Sequence, residues 1–219
     1  MIEVAYKDFT YYEYQGKDHD LKDLLETEFK VQDEDVEDVF SSTQLSKVEE
    51  RKDYLYFALQ FPAYHQEFEY IQIKQIHCFV SPKYLLVVDE NSYQGMEDFD
   101  NARDDLVEKE WYTSFDLFYD LLDMAVIRMF RILYRLGRDI KGIEDILFEG
   151  DTEEDQIRDI QMVKKNIVNF KSLLEPLEEL VEEMIEHHGK YIDRSGEEDL
   201  DDSLDKIKKL TNKLENFRD

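Results

Sequence analysis

From Ile157 to Met184, apolar residues recur at intervals of three and four, through Ile160, Val163, Ile167, Phe170, Leu174, Leu177 and Val181. Only an α-helix places such a series on one face, and a stripe this narrow is that of a coiled-coil seam, so another element must cover it. Pro176 lies inside the series and predicts a kink or an interrupted hydrogen bond, because proline has no amide hydrogen to donate. Before this segment, the pattern predicts a helix from about Ser114 to Glu149, ended by Gly150, with Asp151 and Glu154 spaced to cap the next one. After it, Gly189 marks a break, and Ser195 with Glu198 reads as a capping box opening a last helix. That helix carries Leu200, Leu204, Ile207, Leu210, Leu214 and Phe217, and no Gly, Asn or Pro follows its stripe. It is therefore expected to continue, into more protein or towards a membrane. The three long helices are expected to pack on one another or on other subunits.

The chain changes character near Trp111, which predicts two parts, 1–110 and 111–219. In the first, residues 2–14 are rich in Tyr and Phe and read as one or two strands; LKDLLETEF and DEDVEDVF read as short amphipathic helices, with Val36, Val39 and Phe40 on one face of the second. Tyr54 to Phe61 alternates, with Leu55, Phe57, Leu59 and Phe61 on one side. Glu67 to Val80 and Tyr84 to Val88 read as further strands, joined by a hairpin turn at Ser81, Pro82 and Lys83. Strands flanked by helices predict a layered α/β sheet.

Fifty-four acids against 27 bases give a net charge of −27, which repels phosphates and makes nucleic acid a poor partner. The same field concentrates cations, divalent ones above all, wherever carboxylates cluster. A single cysteine, Cys78, excludes an internal disulfide and a thiolate zinc cage, and points to a reducing compartment. The start MIEVAYKDF lacks the basic and apolar regions of a signal peptide, and no run approaches the roughly 18 apolar residues of a membrane span. The chain as it stands is expected to be soluble.

Catalytic signatures are absent: there is no Gly-rich phosphate loop, nucleophile elbow or HExxH. His187 and His188 are adjacent on a helix, where side chains point about 100° apart, so they read as a solvated helix end. His77 lies in a predicted strand and reads as a packed or hydrogen-bonded core residue. Two acidic clusters remain. One holds Asp33, Glu34, Asp35, Glu37 and Asp38; the other holds Glu197, Glu198, Asp199, Asp201, Asp202 and Asp205 at the start of the last helix. Acids near helix N-termini are favoured by the macrodipole, which accounts for both without a ligand. The sharper reading is that the two groups meet across a contact with a hard cation between them. Neither has the spacing of a calcium loop.

The order of these features resembles the N-terminal cytoplasmic domain of the CorA family of magnesium and cobalt transport proteins. The matching text runs through LLETEFKVQDEDVEDVFSSTQLSKVEERKDYLYFALQ, IKQIHCFVSPKYLLVVDE, YDLLD, IEDILFE, LLEPLEELV and LENFRD. The resemblance implies an α/β/α layered domain with a mostly antiparallel or mixed sheet, then long helices ending in a stalk helix that leads into a membrane segment absent here. It implies a homopentamer on the cytoplasmic side of the membrane; this piece alone is expected to be a monomer or dimer. The family's Gly-Met-Asn pore signature is missing from the sequence.

The resemblance also implies a role for the acids. A regulatory Mg2+, replaceable by Co2+ or another divalent cation, would be held between neighbouring subunits by Glu37 and Asp38 of one and Asp202 of the next, with Asp201, Asp205 or Glu34 as substitutes. Nearby positions where relatives offer further ligands hold Ile127 and Lys206, and a lysine beside a cation is unfavourable. Two readings of other classes stand beside this one. A soluble acidic adaptor would use the seams to bind a partner helix and the acids only for solvation. A hydrolase using paired carboxylates has no motif in its favour.

Overall fold

Among the described residues, six strands form one mixed sheet: β1 (Ile2–Ala5), β2 (Thr10–Gln15), β3 (Lys47–Glu50), β4 (Leu55–His65), β5 (Tyr70–Ser81) and β6 (Tyr84–Asp89). The computed structural model describes residues 1–41, 44–65, 70–89, 105, 107–111, 113–149, 154–187 and 194–217. The strand order is β1-β2-β6-β5-β4-β3, antiparallel throughout except where β2 runs parallel to β6. Pro82 and Lys83 turn β5 into β6, with Ser81 opposite Tyr84. Proline suits this turn because its fixed φ is that of the first central position.

The period of two along β4 divides the core. Leu55, Phe57, Leu59 and Phe61 face the long helices, while Tyr54, Tyr56 and Ala58 face α1 (His19–Thr27) and α2 (Asp33–Phe40). Pro62 lies beyond the stretch of β4 that pairs with β3, so its missing amide hydrogen leaves no bond unmade on that side. β3 has no counterpart in the sequence reading. It is a four-residue edge strand, KVEE, whose one buried apolar residue is Val48, and so short and charged an edge shows no alternation to detect. On α2, Val36 and Val39 are buried as expected, but Phe40 at the helix end is largely exposed.

The other face of the sheet carries α3 (Ser114–Glu149), α4 (Glu154–His187) and α5 (Arg194–Glu215). Thr113 and Asp116 start α3 reciprocally: the Thr113 amide donates to Asp116 Oδ2 and the Asp116 amide to Thr113 Oγ1, both at 3.1 Å. Ser114 Oγ donates to the carbonyl of Ser81 at 2.5 Å, fixing the helix to the hairpin. The seam of α4 is buried from Phe170 through Leu174, Leu177 and Val181 to Met184. Earlier, Ile160, Val163 and Ile167 are half-buried and Ile157 is exposed. Asn166 and Asn169 of α4 pair the open edge of β5: the Ile71 amide donates to Asn166 Oδ1 at 2.7 Å, and Asn169 Nδ2 donates to the Ile71 carbonyl at 3.0 Å.

Pro176 lies inside α4, which runs continuously from Glu154 to His187; one intrahelical hydrogen bond is lost there, and the buried Leu173, Leu174 and Leu177 around it hold the helix. One expectation is corrected. Ser195 falls within the first turn of α5, not ahead of it, so it is not the N-cap. The expectations for Gly150, Asp151, His188, Gly189 and residues 67–69 lie outside the described residues. Among the described residues, no helix is long and apolar enough to cross a membrane.

Candidate functional site

The first acidic group is built on α2. Asp33, Glu34 and Asp35 occupy its first turn, where the helix dipole favours negative charge. Asp35 points inward, has no exposed surface, and is held by Arg51 (Nε to Oδ2 at 2.9 Å, Nη2 to Oδ1 at 2.5 Å) and by the Tyr54 hydroxyl at 2.6 Å. The Tyr54 oxygen also accepts the Gln32 amide at 3.0 Å, which fixes the start of the helix. Burial first, and then the hydrogen bond to Asp35, push the Tyr54 hydroxyl well above its ordinary range, so it remains a donor.

With Asp35 turned inward, Glu37 projects into solvent, and Asp38 sits half-buried at the end of the helix. Asp38 already has partners: Lys47 Nζ lies 2.7 Å from Oδ2, and Gln44 Nε2 donates to Oδ1 at 2.5 Å. Burial disfavours the Lys47 charge, but Asp38, with Glu49 nearby, outweighs it and holds the ammonium above its usual range. Glu34 is exposed and lies 3.8 Å from Arg51.

The second group sits on α5, which runs parallel to α3 and antiparallel to α4. Along α3, Tyr119 meets Gly196, Asp123 meets Ser203 and Lys206, Tyr134 meets Lys213, and Gly137 meets Phe217. Along α4, Glu182 meets Lys208 at 2.9 Å. Glycine at 196 is required by packing: a Cβ there would lie 2.6 Å from Tyr119 Cε2. The N-terminal halves of α3 and α5 thus bring Asp116, Asp120 and Asp123 against Asp199 and Asp202. Burial, followed by the charges of Asp116, Asp202 and Asp123, raises the Asp199 carboxyl above its ordinary value. Burial, then Asp199 and Asp123, does the same to Asp120. Lys206 answers this concentration of charge by pairing with Asp123, whose Oδ1 also accepts from Ser203 Oγ at 3.2 Å.

Of the residues expected from the sequence, Asp201, Asp202 and Asp205 are exposed on α5 and form no salt bridge with another described residue. Glu37 and Asp38 belong to the layer on the opposite face of the sheet, so one chain does not bring the two groups together. Among the described residues, no three Asp, Glu, His or Cys side chains are grouped to hold a metal ion. Ile127 is exposed on α3 and offers no donor. The sequence reading passed over Asp116, Asp120 and Asp123, although their spacing of four and three already placed them on one helix face.

A six-stranded mixed sheet with two short helices on one face and three long ones on the other, the last carrying exposed acids, is a specific arrangement. The family model for the CorA-like Mg2+ transporter protein matches residues 6–219. The chain belongs to the CorA-like Mg2+ transporter family. Its fold is that of the soluble domain of CorA from Methanocaldococcus jannaschii, with a TM-score of 0.81 at 15% identity over 96% of this chain and 83% of that one. The complete CorA magnesium transporter from Methanocaldococcus jannaschii gives 0.81 at 13% identity, over 100% of this chain and 69% of that one. The ZntB cytoplasmic domain from Vibrio parahaemolyticus gives 0.66 at 12% identity, over 97% of this chain and 86% of that one. A search of curated proteins finds no match. The mixed sheet and the long helices that follow it agree with the fold expected from the sequence.

Proposed function

We propose that this chain is the cytoplasmic, Mg2+-sensing regulatory domain of a CorA-like divalent-cation channel. In this reading, Glu37 and Asp38 of one copy and Asp202 of its neighbour, with Asp201 and Asp205 beside it, hold a divalent cation across the contact between copies. The observation that carries it is that both acid groups present exposed carboxylates but lie on opposite layers, so a shared cation would need two copies of the chain. Carboxylate oxygens are the donors that Mg2+ prefers, and Glu37 and Asp202 are both exposed and so reachable from a neighbouring copy. A cation bound there would supply the charge that lets the two carboxylate groups approach each other. Copies already at −27 repel one another, so without it the interface loosens and the closed and open populations shift.

The deciding experiment is the melting temperature and light-scattering mass of the chain in magnesium chloride and in sodium chloride of equal ionic strength. It compares wild type with Glu37→Gln/Asp38→Asn/Asp202→Asn. Stabilisation or assembly specific to Mg2+, absent from the triple variant, is the expected result. An equal response to both salts would reduce the effect to screening and sink the sensor reading. Substituting Co2+ for Mg2+ in the same melts tests whether the site accepts other divalent ions.

One observation favours a second reading, an adaptor that binds a partner helix. A groove of about 600 Å³ between the far ends of α3 and α4 and the end of α5 is lined by Ile140, Ile143, Ile160, Val163 and Ile167. An adaptor predicts indifference to Mg2+ at fixed ionic strength and capture of an amphipathic helix in this groove.

A further inference from the structure

The cations nearest the candidate acids are part of the chain itself. Asp38 has one oxygen on Lys47 at 2.7 Å and the other on Gln44 at 2.5 Å. On the opposite layer, Lys206 stands one turn beyond Asp202 on α5 and directs its ammonium to Asp123. Each half of the proposed inter-copy site therefore contains a lysine. We propose that Lys47, which holds Asp38, and Lys206, which offsets the charge beside Asp202 through Asp123, are tethered counter-ions that oppose a divalent cation and set the concentration at which the site loads. The inference rests on the regulatory reading above and deepens it.

The chemistry is a competition between two ways of neutralising the same charge. An ammonium on a flexible stem donates hydrogen bonds to a carboxylate but cannot gather several oxygens around itself, whereas a hard divalent cation requires that gathering. A cation entering beside Asp38 meets the Lys47 charge at close range and must either displace it or bind against its repulsion. Next to Asp202, Lys206 offsets part of the field of Asp116, Asp120, Asp123 and Asp199, which would otherwise strengthen cation binding. The pairs are half-buried, with side chains between 19% and 32% exposed, so the lysines are held in place yet able to swing out.

The pair of Lys206 with Asp123 helps to seat α5 on α3, where Ser203 also donates to Asp123. Lys206 crosslinks the two helices at the level where their acids face one another.

The test titrates Mg2+ at constant ionic strength, following melting temperature and light-scattering mass, for wild type, Lys47→Met, Lys206→Met, Lys47→Arg, Lys206→Arg and Lys208→Met. Each methionine variant at 47 and 206 is expected to lower the Mg2+ midpoint by about 1.5- to 5-fold, the size of one partly exposed ion pair. The arginine variants keep the charge and should stay near wild type. Lys208 pairs with Glu182 and stands near Asp205, a secondary candidate ligand, so its loss should move the midpoint less than the loss of Lys47 or Lys206. A wild-type response to Mg2+ with unmoved midpoints in both methionine variants would overturn the inference and leave the sensor reading standing. No Mg2+-specific response in any of the proteins would overturn both.

Discussion

His77 is buried completely in the layer beneath α1 and α2; its Nδ1 shares a hydrogen bond of 2.8 Å with the Tyr56 hydroxyl, and its Nε2 has no partner among the described residues. Burial, with smaller contributions from Lys17 and Lys47, pushes the imidazole down to about 3 from an ordinary 6.5. The folded state therefore keeps it neutral, while the unfolded chain takes up a proton as pH falls below 6.5. Stability from this group is fully present above that value and is lost on acidification, by about 1.4 kcal/mol per pH unit and about 4 kcal/mol by pH 3. The clean perturbation is Tyr56→Phe/His77→Leu, which removes the titrating ring and the hydroxyl together and leaves no orphaned donor. Urea unfolding at pH 7.5 and 5.5 remains clear of the pI near 4.4. The wild type should lose about 1.4 kcal/mol more than the double variant between those two pH values. The raised carboxyls of Asp120 and Asp199 act in the opposite sense, gaining stability as pH falls, but both proteins share them and the difference cancels them. Parallel pH profiles for the two proteins would refute the burial argument for His77.

Arg51→Met should destabilise the domain by about 3–5 kcal/mol in urea melts, because it leaves the fully buried Asp35 carboxylate with only the Tyr54 hydroxyl among these partners. Asp35→Leu/Arg51→Met should recover much of that loss, which a purely steric role for Arg51 would not allow. Gly196→Ala should cost about 1–3 kcal/mol, since the new methyl meets the buried Tyr119 ring; a neutral or stabilising result in thermal melts would show that the contact yields.

The parts of the fold that the sequence reveals are those with a strong period. The alternation of Leu55, Phe57, Leu59 and Phe61 and the stripes of the three long helices give both the elements and the faces they bury. β3 stays hidden because one buried valine among charges carries no period. Asp35 also stays hidden within its acidic run: nothing local distinguishes the one carboxylate that turns inward, and what decides it is Arg51 and Tyr54, 16 and 19 residues away. The same holds at the candidate site. Residue types and spacing suggest ligands, but that Asp38 is already bound by Lys47, or that Lys206 is turned towards Asp123, depends on which elements the fold brings side by side.

The seam between α3 and α5 is uneven along its length, and this has a mechanical consequence. Towards the C-terminal end, Ile207, Leu210 and Leu214 are buried and Phe217 packs over Gly137, so cohesion there is apolar and insensitive to ions. Towards the N-terminal end, Leu200 is buried among facing acids whose mutual repulsion is offset by two parallel helix N-termini and by Lys206. Each carboxylate there gains or loses binding energy with the ionic surroundings, whereas the apolar end does not. The end of α5 that responds most to ions is therefore the one that carries Asp201, Asp202 and Asp205, with the apolar end as pivot. A cation captured at those acids from outside would act on the end of the helix where a small force moves it farthest. Amide exchange should show this as a gradient, with protection in α5 rising from residue 200 to 214 and salt affecting only the first half. Uniform exchange along α5, or a salt effect spread evenly over it, would contradict the pivot.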